Sequence, residues 1–539
     1  MSLFLQLPKT PLLSSVDSST GSYALGEDNA VKFSSLRYQL PTELDREIIA
    51  YGTEIFSSLS SSSHFPLSPK FINAKLMEWS MKLPEFKVNL FRLVDVLPTL
   101  HSPRAVAEHV REYLGPTLDS IHPALSWGLG LTKNNLLAAI TSFFVHTGVQ
   151  QMAGMFIAGD TPARAAPVLK GLRRKGYAFT VDLLGEFCVC ESEAEEYLNR
   201  YMDALEVFGK QGMWGEHQPI VADHPGDNTP ICISVKLSAL YSQTSVLNFS
   251  RSVEVLSNHL TTIARRARAI GAQVYVDAED TGNNSMIYES FMRVFGSAEF
   301  KDFPLPGIVV QAYSRGSEER VLDLLQFANR RGNPIAVRLV KGAYWDLERV
   351  VSAQNHWEFP LWCKKESSDA HYEYLSRLLL DNHHLCLPAF GSHNIRSLSH
   401  AVCYAKQRGL SPKHYEIQVL YGMAEPIARA FAERDILVRM YVPLGKLLPG
   451  MGYLVRRLLE NTSNESFLRH TFFEEDEIST LLKAPSMQLE DMATRDIPIA
   501  PDEKLLLLPA PCPAPSSRSS PMGVLLQAQQ ELEATTKLS

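Results

Sequence analysis

Residues 307–340 read GIVVQAYSRGSEERVLDLLQFANRRGNPIAVRLV and contain one complete strand–helix–strand unit. GIVVQAY (307–313) and PIAVRLV (334–340) are short, almost wholly apolar and rich in Val and Ile, as expected of parallel strands buried on both faces. Between them, SEERVLDLLQFANRRG (317–332) is an amphipathic stretch that closes on Gly332, a residue that ends helices without steric cost.

The same kind of run recurs outward in both directions: AFTVDLL (178–184), ICISVKL (231–237), AQVYVDA (272–278), LCLPAFG (385–391), YEIQVL (415–420) and ILVRMYV (436–442). SVEVLSNHLTTIARRARAI (252–270), followed by Gly271, reads as another connecting helix. Eight such runs predict an α/β chain folded as a (β/α)8 barrel. A doubly wound sheet usually has fewer strands, and its phosphate loop would be glycine-rich after the first of them. No G-x-G-x-x-G or P-loop is present, and GLGL at 128–131 lacks the third glycine and follows no strand.

The flanks have different patterns. Residues 1–36 are polar and aperiodic and read as a flexible lead-in. Residues 37–150 form an all-helical N-terminal region. There PTELDREIIAYGTEIF (41–56) has helical spacing with Thr42 as the candidate N-cap, and Ser57–Ser63 reads as a flexible loop. The barrel is expected over 151–480, and 481–539 as a largely disordered tail, since 505–521 is rich in proline and serine. Residues 211–228, QGMWGEHQPIVADHPGDN, are an insertion between the first two strands and a candidate for the rim of the site.

Composition bounds the function. Hydrophobic residues make up 45% and charged residues 21% of 539, enough for a sizeable core. A net charge of −7 with no basic run argues against a nucleic-acid partner, which needs a basic face. Seven scattered cysteines show no disulfide framework, which fits a reducing compartment. No segment approaches the roughly 20 apolar residues of a membrane span. MSLFLQLPKTPLLSS makes a poor signal peptide, and Asp17, Glu27 and Asp28 make a poor mitochondrial leader, so the expected location is cytoplasmic.

Barrel active sites lie at the C-terminal ends of the strands. Polar residues that end or interrupt the runs are Lys236, Asp277, Glu279, Gln311, Arg338, Lys341, His393, Asn394, Gln418 and Tyr441. Each also has a structural reading. Lys236 can point to solvent, Asp277 can cap the next helix, and His393 can be a satisfied core residue. Arg338 interrupts an otherwise apolar strand, so its guanidinium needs either a cofactor or an ion pair with Asp277. The histidines show no ligand spacing, so no metal is expected. Arg456 and Arg457 are adjacent in an apolar helical stretch after the last strand. They either clamp a carboxylate at the barrel mouth or pair with Glu460 and Glu465 on the helix surface.

SVKLSAL, VDAE, VVQAY, VRLVKGAYWD, FGSHN, IQVLYGMAEP and YLVRRLLEN resemble, in order and in strand position, the proline dehydrogenase family. The similarity is greatest to the proline dehydrogenase half of the bifunctional proline utilisation A proteins, and it covers roughly residues 75–470, with FRLVDVLPTL and the run from FIAGD to FTVDLLGE resembling the helical part before the barrel. The resemblance implies FAD across the strand ends and oxidation of L-proline to Δ1-pyrroline-5-carboxylate, by hydride transfer from proline C5 to flavin N5. It implies membrane quinone as electron acceptor, with peripheral contact at the inner membrane. It assigns the proline carboxylate to Arg456 and Arg457 with help from Lys236, and the ring to Tyr441 and Tyr453. Arg338, paired with Asp277, would sit by the flavin. Ala278, Gln311, Lys341, Gly342, Ala343, Trp345, Ser392, His393, Asn394, Gln418, Glu460, Ser466 and Phe467 would hold the cofactor or shape its pocket. Glu186 would close over the site by pairing with Arg456.

The bifunctional relatives continue into an aldehyde dehydrogenase for which this sequence has no room, so a separate pyrroline-5-carboxylate dehydrogenase is a possible partner. No basic ribbon-helix-helix segment is present at the N-terminus. Two other readings compete: a Schiff-base aldolase using Lys236 or Lys341, and a catalytically silent barrel serving a separate dehydrogenase.

Overall fold

The computed structural model describes residues 41–59, 102–121, 156–185, 187–210, 219–445 and 475–488, with scattered single positions including Tyr38, Trp214 and Asp491. Helices α1 (Thr42–Leu59), α2 (Pro103–Ile121) and α3 (Pro162–Arg174) precede the first strand. All eight predicted runs are strands: β1 (Ala178–Leu183), β2 (Cys232–Val235), β3 (Gln273–Val276), β4 (Gly307–Gln311), β5 (Ile335–Val340), β6 (Cys386–Gly391), β7 (Glu416–Leu420) and β8 (Val438–Leu444). They form a closed parallel barrel in sequence order, sealed by β8 against β1 from Ala178↔Arg439 to Leu183↔Leu444. Helices α4 (Glu191–Phe208), α5 (Phe249–Ala269), α6 (Thr281–Phe295), α7 (Ser317–Arg331), α8 (Trp345–Asn355), α9 (Lys365–Asp381), α10 (Ile395–Gln407) and α11 (Glu425–Ala432) surround it, and α12 (Glu475–Leu481) follows.

Local chemistry sets the boundaries. Thr161 accepts from Arg164 N at the start of α3, and Pro162 occupies the first helical position, where a missing N–H costs nothing. Gly332 ends α7 in the left-handed conformation, as its sequence position predicts. Helices α9 and α10 depart from the amphipathic pattern: Ser367–Asp381 and Ile395–Ala405 are buried all round. Helix α1 lies against α10 and α11. The charges buried there are therefore paired. Arg396 binds Glu373 at 2.9 Å, Asp45 of α1 at 2.5 Å and the Leu482 carbonyl at 2.9 Å.

Three expectations need correction. Thr42 is the first helical residue rather than the cap, because the Pro41 carbonyl already accepts from Asp45 N. The serine run begins inside α1: the Ser57 and Ser58 hydroxyls bond back to the Thr53 and Ile55 carbonyls, and buried Leu59 holds the last turn down. The 211–228 insertion does not form the site rim where it is described. Trp214 packs on Phe179 at the start of β1, His224 bonds the Tyr415 carbonyl, and the Gly226 carbonyl accepts from Arg439. These are the N-terminal ends of the strands, because a segment leading from a helix back into a strand must return to that end.

Candidate active site

The barrel interior carries charge where most barrels carry aliphatic layers. At the entering ends of β7 and β8, Arg439 is clamped by both oxygens of Glu416, at 2.8 and 2.9 Å, with both side chains essentially fully buried. Gln418 donates to Glu416 and accepts from Arg338 Nε at 2.6 Å, which joins this pair to a second cluster nearer the C-terminal ends.

Asp277 is the hub of that second cluster. Its Oδ1 accepts from Arg338 Nη1 at 2.8 Å and Ser234 Oγ at 2.6 Å, and its Oδ2 from Tyr441 Oη at 2.9 Å. Lys236 Nζ stands 3.4 Å from Asp277 Oδ2 and 3.2 Å from Tyr441 Oη, and it also donates to Asp182 on β1. Arg338 lies over the Tyr275 ring, 4.3 Å from its centre. The helix-cap alternative for Asp277 falls away, because Asp280 caps α6 by accepting from Gly282 N and Asn283 N.

The two carboxylates differ in their hold on a proton. Burial opposes the charge on Asp277, but Lys236 and Arg338 outweigh it and keep the carboxyl below the usual carboxylate range. Burial pushes Asp182 up; Lys236 opposes this, and nearby Asp277 adds to it. One lysine thus lies between a committed carboxylate and one with a raised proton affinity, the kind of divergence that marks acid–base sites. Asp182→Asn should therefore loosen Lys236 without removing Asp277. The affinity of the cleft for a carboxylate ligand is expected to fall about tenfold, as for one charge-assisted hydrogen bond of ~1.5 kcal/mol, and an unchanged affinity would count against Lys236 depending on Asp182.

The other predicted residues that are described lie at the same end of the barrel, Gln311 on β4 and the rest in the segments that follow strands. Gln311 accepts from Asn284 at 3.1 Å. Lys341 pairs with Asp369 of α9, while Ala343 and Trp345 are half-buried and Trp345 donates to the Trp362 carbonyl at 3.0 Å. Gly342 has φ 131°, and a Cβ there would stand 2.5 Å from the Tyr313 ring, so only glycine fits. Ala278 follows Asp277 and is half-buried. Ser392 accepts from Asn394 N at 3.0 Å, His393 Nε2 accepts from Leu420 N at 3.0 Å, and Asn394 caps α10 by accepting from Ser397 N. His393 and Asn394 thus have structural duties at the mouth. Glu186, Tyr453, Arg456, Arg457, Glu460, Ser466 and Phe467 lie outside the described residues.

Arg338 also tests whether a cofactor suits the cleft. Its side chain is 4% exposed, Nε and Nη1 are satisfied, and Nη2 is buried with no hydrogen-bond partner. An unmet guanidinium N–H is costly, and a heteroaromatic ring with acceptor atoms placed against it would meet the need. The donor set fits a flavin. Asp182 and Ser234 were missed by sequence reasoning; both interrupt buried strands as Arg338 does, which was the available signal.

A closed (β/α)8 barrel with a buried, ion-paired cluster at its strand ends is the architecture of a barrel enzyme. The chain matches the proline dehydrogenase family over residues 165–470 and the proline utilization A N-terminal domain over residues 45–156. It belongs to the proline dehydrogenase family. It is 28% identical to the bifunctional protein PutA of Escherichia coli (strain K12) over 359 residues, covering 65% of this chain and 26% of the relative. It is 26% identical to proline dehydrogenase 1 of Bacillus subtilis (strain 168) over 341 residues, covering 63% of this chain and 96% of the relative. The crystal structure of proline utilization A from Bdellovibrio bacteriovorus, inactivated by N-propargylglycine, superposes with a TM-score of 0.75 at 38% identity over 85% of this chain and 46% of that one. The chain therefore spans under half the length of the PutA proteins named here.

Proposed function

We propose that this chain oxidises L-proline to Δ1-pyrroline-5-carboxylate with FAD as cofactor. The observation that carries the reading is buried Arg338, with its Nη2 lacking an acceptor, locked to Asp277 at the strand ends of a proline dehydrogenase family barrel. FAD, when bound, supplies the acceptor for the hydride that leaves proline C5.

The protein positions and balances charge. Arg338 favours negative charge building up against it. Asp277 and Gln418 fix the guanidinium plane, and Lys236 presents its ammonium beside Tyr441 to the substrate carboxylate. Arg456 and Arg457 take the same carboxylate, Tyr453 and Tyr441 flank the ring, and Glu186 closes the site on Arg456. Ala278, Gln311, Lys341, Gly342, Ala343, Trp345, Ser392, His393, Asn394, Gln418, Glu460, Ser466 and Phe467 hold the cofactor. The proline nitrogen must be unprotonated as the hydride departs, so that its lone pair can form the C=N bond of the product. A quinone acceptor, a separate pyrroline-5-carboxylate dehydrogenase and peripheral membrane contact rest on the family resemblance alone. Among the described residues no helix is long and apolar enough to cross a membrane.

The aldolase alternative is disfavoured at Lys236, which is ion-paired with both Asp182 and Asp277; at Lys341 burial outweighs Asp369 and lowers the hold on the proton, so a trapping experiment decides it there. The full chain purified with FAD should show a flavin absorbance band that anaerobic proline bleaches. Absence of the band, or borohydride trapping of a carbonyl substrate on lysine, sinks the reading. Arg456→Met should raise proline KM about 30- to 1000-fold, as for loss of ~2–4 kcal/mol from a carboxylate contact. Prolinamide should lose little. Small equal losses would leave the arginine pair structural.

A further inference from the structure

Asp491 lies 176 residues beyond Arg315 in sequence, yet it is 1% exposed and bonded to the barrel. Its Oδ1 accepts from Arg315 Nη2 at 3.1 Å and from Cys363 N at 2.8 Å; its Oδ2 accepts from Lys364 N at 3.0 Å. Its carbonyl takes Arg315 Nη1 at 2.6 Å. Nearby, Gln488 N donates to Ser367 Oγ at 3.4 Å, and Leu482 is fully buried against Gly52 of α1.

Cys363 and Lys364 immediately precede α9, whose own cap residue, Lys364, provides no side-chain cap bond. Asp491 thus sets a carboxylate at the start of α9 from a distance, against the N–H of the cap residue Lys364 and of Cys363 before it, where the positive end of the helix favours negative charge. One turn into that helix stands Asp369, which holds Lys341 on one oxygen and Lys365 at 3.0 Å on the other. Lys341 begins the loop after β5, next to Gly342. Asp491 reaches the other end of that loop indirectly, through Arg315. Arg315 stacks over the Trp362 ring at 4.6 Å and donates to the Leu361 carbonyl, and Trp362 in turn takes the Trp345 indole N–H on its carbonyl.

We propose that Asp491 is a positioning residue: by capping α9 and fixing Arg315, it sets Asp369 and Trp362 and so holds the Lys341–Trp345 loop in the form that binds the cofactor. This role rests on the FAD reading above. Burial opposes the Asp491 charge, but the Cys363 and Lys364 backbone N–H groups hold its carboxyl below the usual range, so the cap persists at neutral pH. Burial, with Asp491 adding to it, pushes the Cys363 thiol up to about 11, which makes that cysteine an unreactive reporter while the cap is in place.

The test uses the full chain and two readouts. Thiol alkylation at Cys363, followed by mass spectrometry of its peptide, reports the cap whatever the protein catalyses; titration with FAD reports the loop. Asp491→Ala should speed Cys363 alkylation at least tenfold and weaken FAD binding about tenfold. In the loaded enzyme, proline KM should stay within about twofold, because the substrate contacts are not touched. Asp491→Glu should restore much of both effects, and if the alanine variant proves too unstable to purify, Asp491→Asn, which keeps the shape without the charge, takes its place. Faster alkylation with unchanged FAD affinity overturns the positioning role and leaves a structural cap. Unchanged alkylation overturns the cap itself. A wild-type chain that takes up no FAD but shields Cys363 overturns the cofactor reading and the positioning role together.

Discussion

Arg338→Met is expected to slow flavin reduction by proline about 100- to 1000-fold, the usual cost of removing a preorganised donor from a site where negative charge develops. The proline dissociation constant should change far less, because the substrate carboxylate is assigned to other cations. Arg338 is buried, sandwiched at Tyr275 and fixed at two of its nitrogens by Asp277, Ser234 and Gln418, so its orientation requires no rearrangement during the reaction. Rapid mixing under anaerobic conditions separates the two quantities. Arg338→Lys should recover only part of the rate, since an ammonium carries the charge but cannot span Asp277 and Gln418 together. Because Asp277 keeps Lys236 as a partner, the Met variant should still fold, which circular dichroism checks. Reduction at the wild-type rate would remove Arg338 from the chemistry.

Arg439→Ala addresses stability at the opposite end of the barrel and should destabilise the fold by about 3–5 kcal/mol, because it leaves the buried Glu416 carboxyl without its ion-pair partner. That is a large part of the ~5–15 kcal/mol that holds a typical domain together. The loss also includes bonds to the Phe179 and Gly226 carbonyls, which tie β8 to β1 and to the segment before β2. Urea unfolding measures it. Burial opposes the Glu416 charge, but Arg439 overcomes it and keeps the carboxyl below its ordinary value. A lowered folded-state pKa contributes stability above the unfolded value of about 4.3 and loses it as pH falls through the lower folded value. In Arg439→Ala the buried carboxyl prefers its proton instead, so the gap between the two proteins should narrow on acidification. A gap independent of pH would mean that the lost packing, not the ion pair, carries the effect.

Much of this was legible in the chain itself. Parallel strands buried on both faces must be apolar throughout, so eight runs identified eight strands and their order. The rule that barrel sites form where strands end also selected Lys236, Asp277, Arg338, Gln418 and Tyr441, and the fold brings these five into one bonded cluster. Among the family motifs, SVKLSAL, VDAE, VRLVKGAYWD and IQVLYGMAEP begin on four of the same strands. Asp182 and Ser234 were passed over because each lies within a run read as apolar, although a polar residue in such a strand is itself the sign of a partner across the barrel.

Sequence determined the periodicities, the end of α7 at Gly332 and the strand ends because these depend on neighbours a few residues away. Apart from Arg338 with Asp277, a pairing the strand ends already suggested, tertiary structure decided which charges meet. Helices α9 and α10 carry ordinary charged residues that become buried only because other parts of the chain cover them, so Arg396 finds Glu373, Asp45 and the Leu482 carbonyl across gaps of 23, 351 and 86 residues. The 211–228 segment and Asp491 show the same limit. Their partners at the foot of the barrel and at the start of α9 are set by chain path and closure, and a carboxylate gives no local sign of which distant N–H groups it will satisfy.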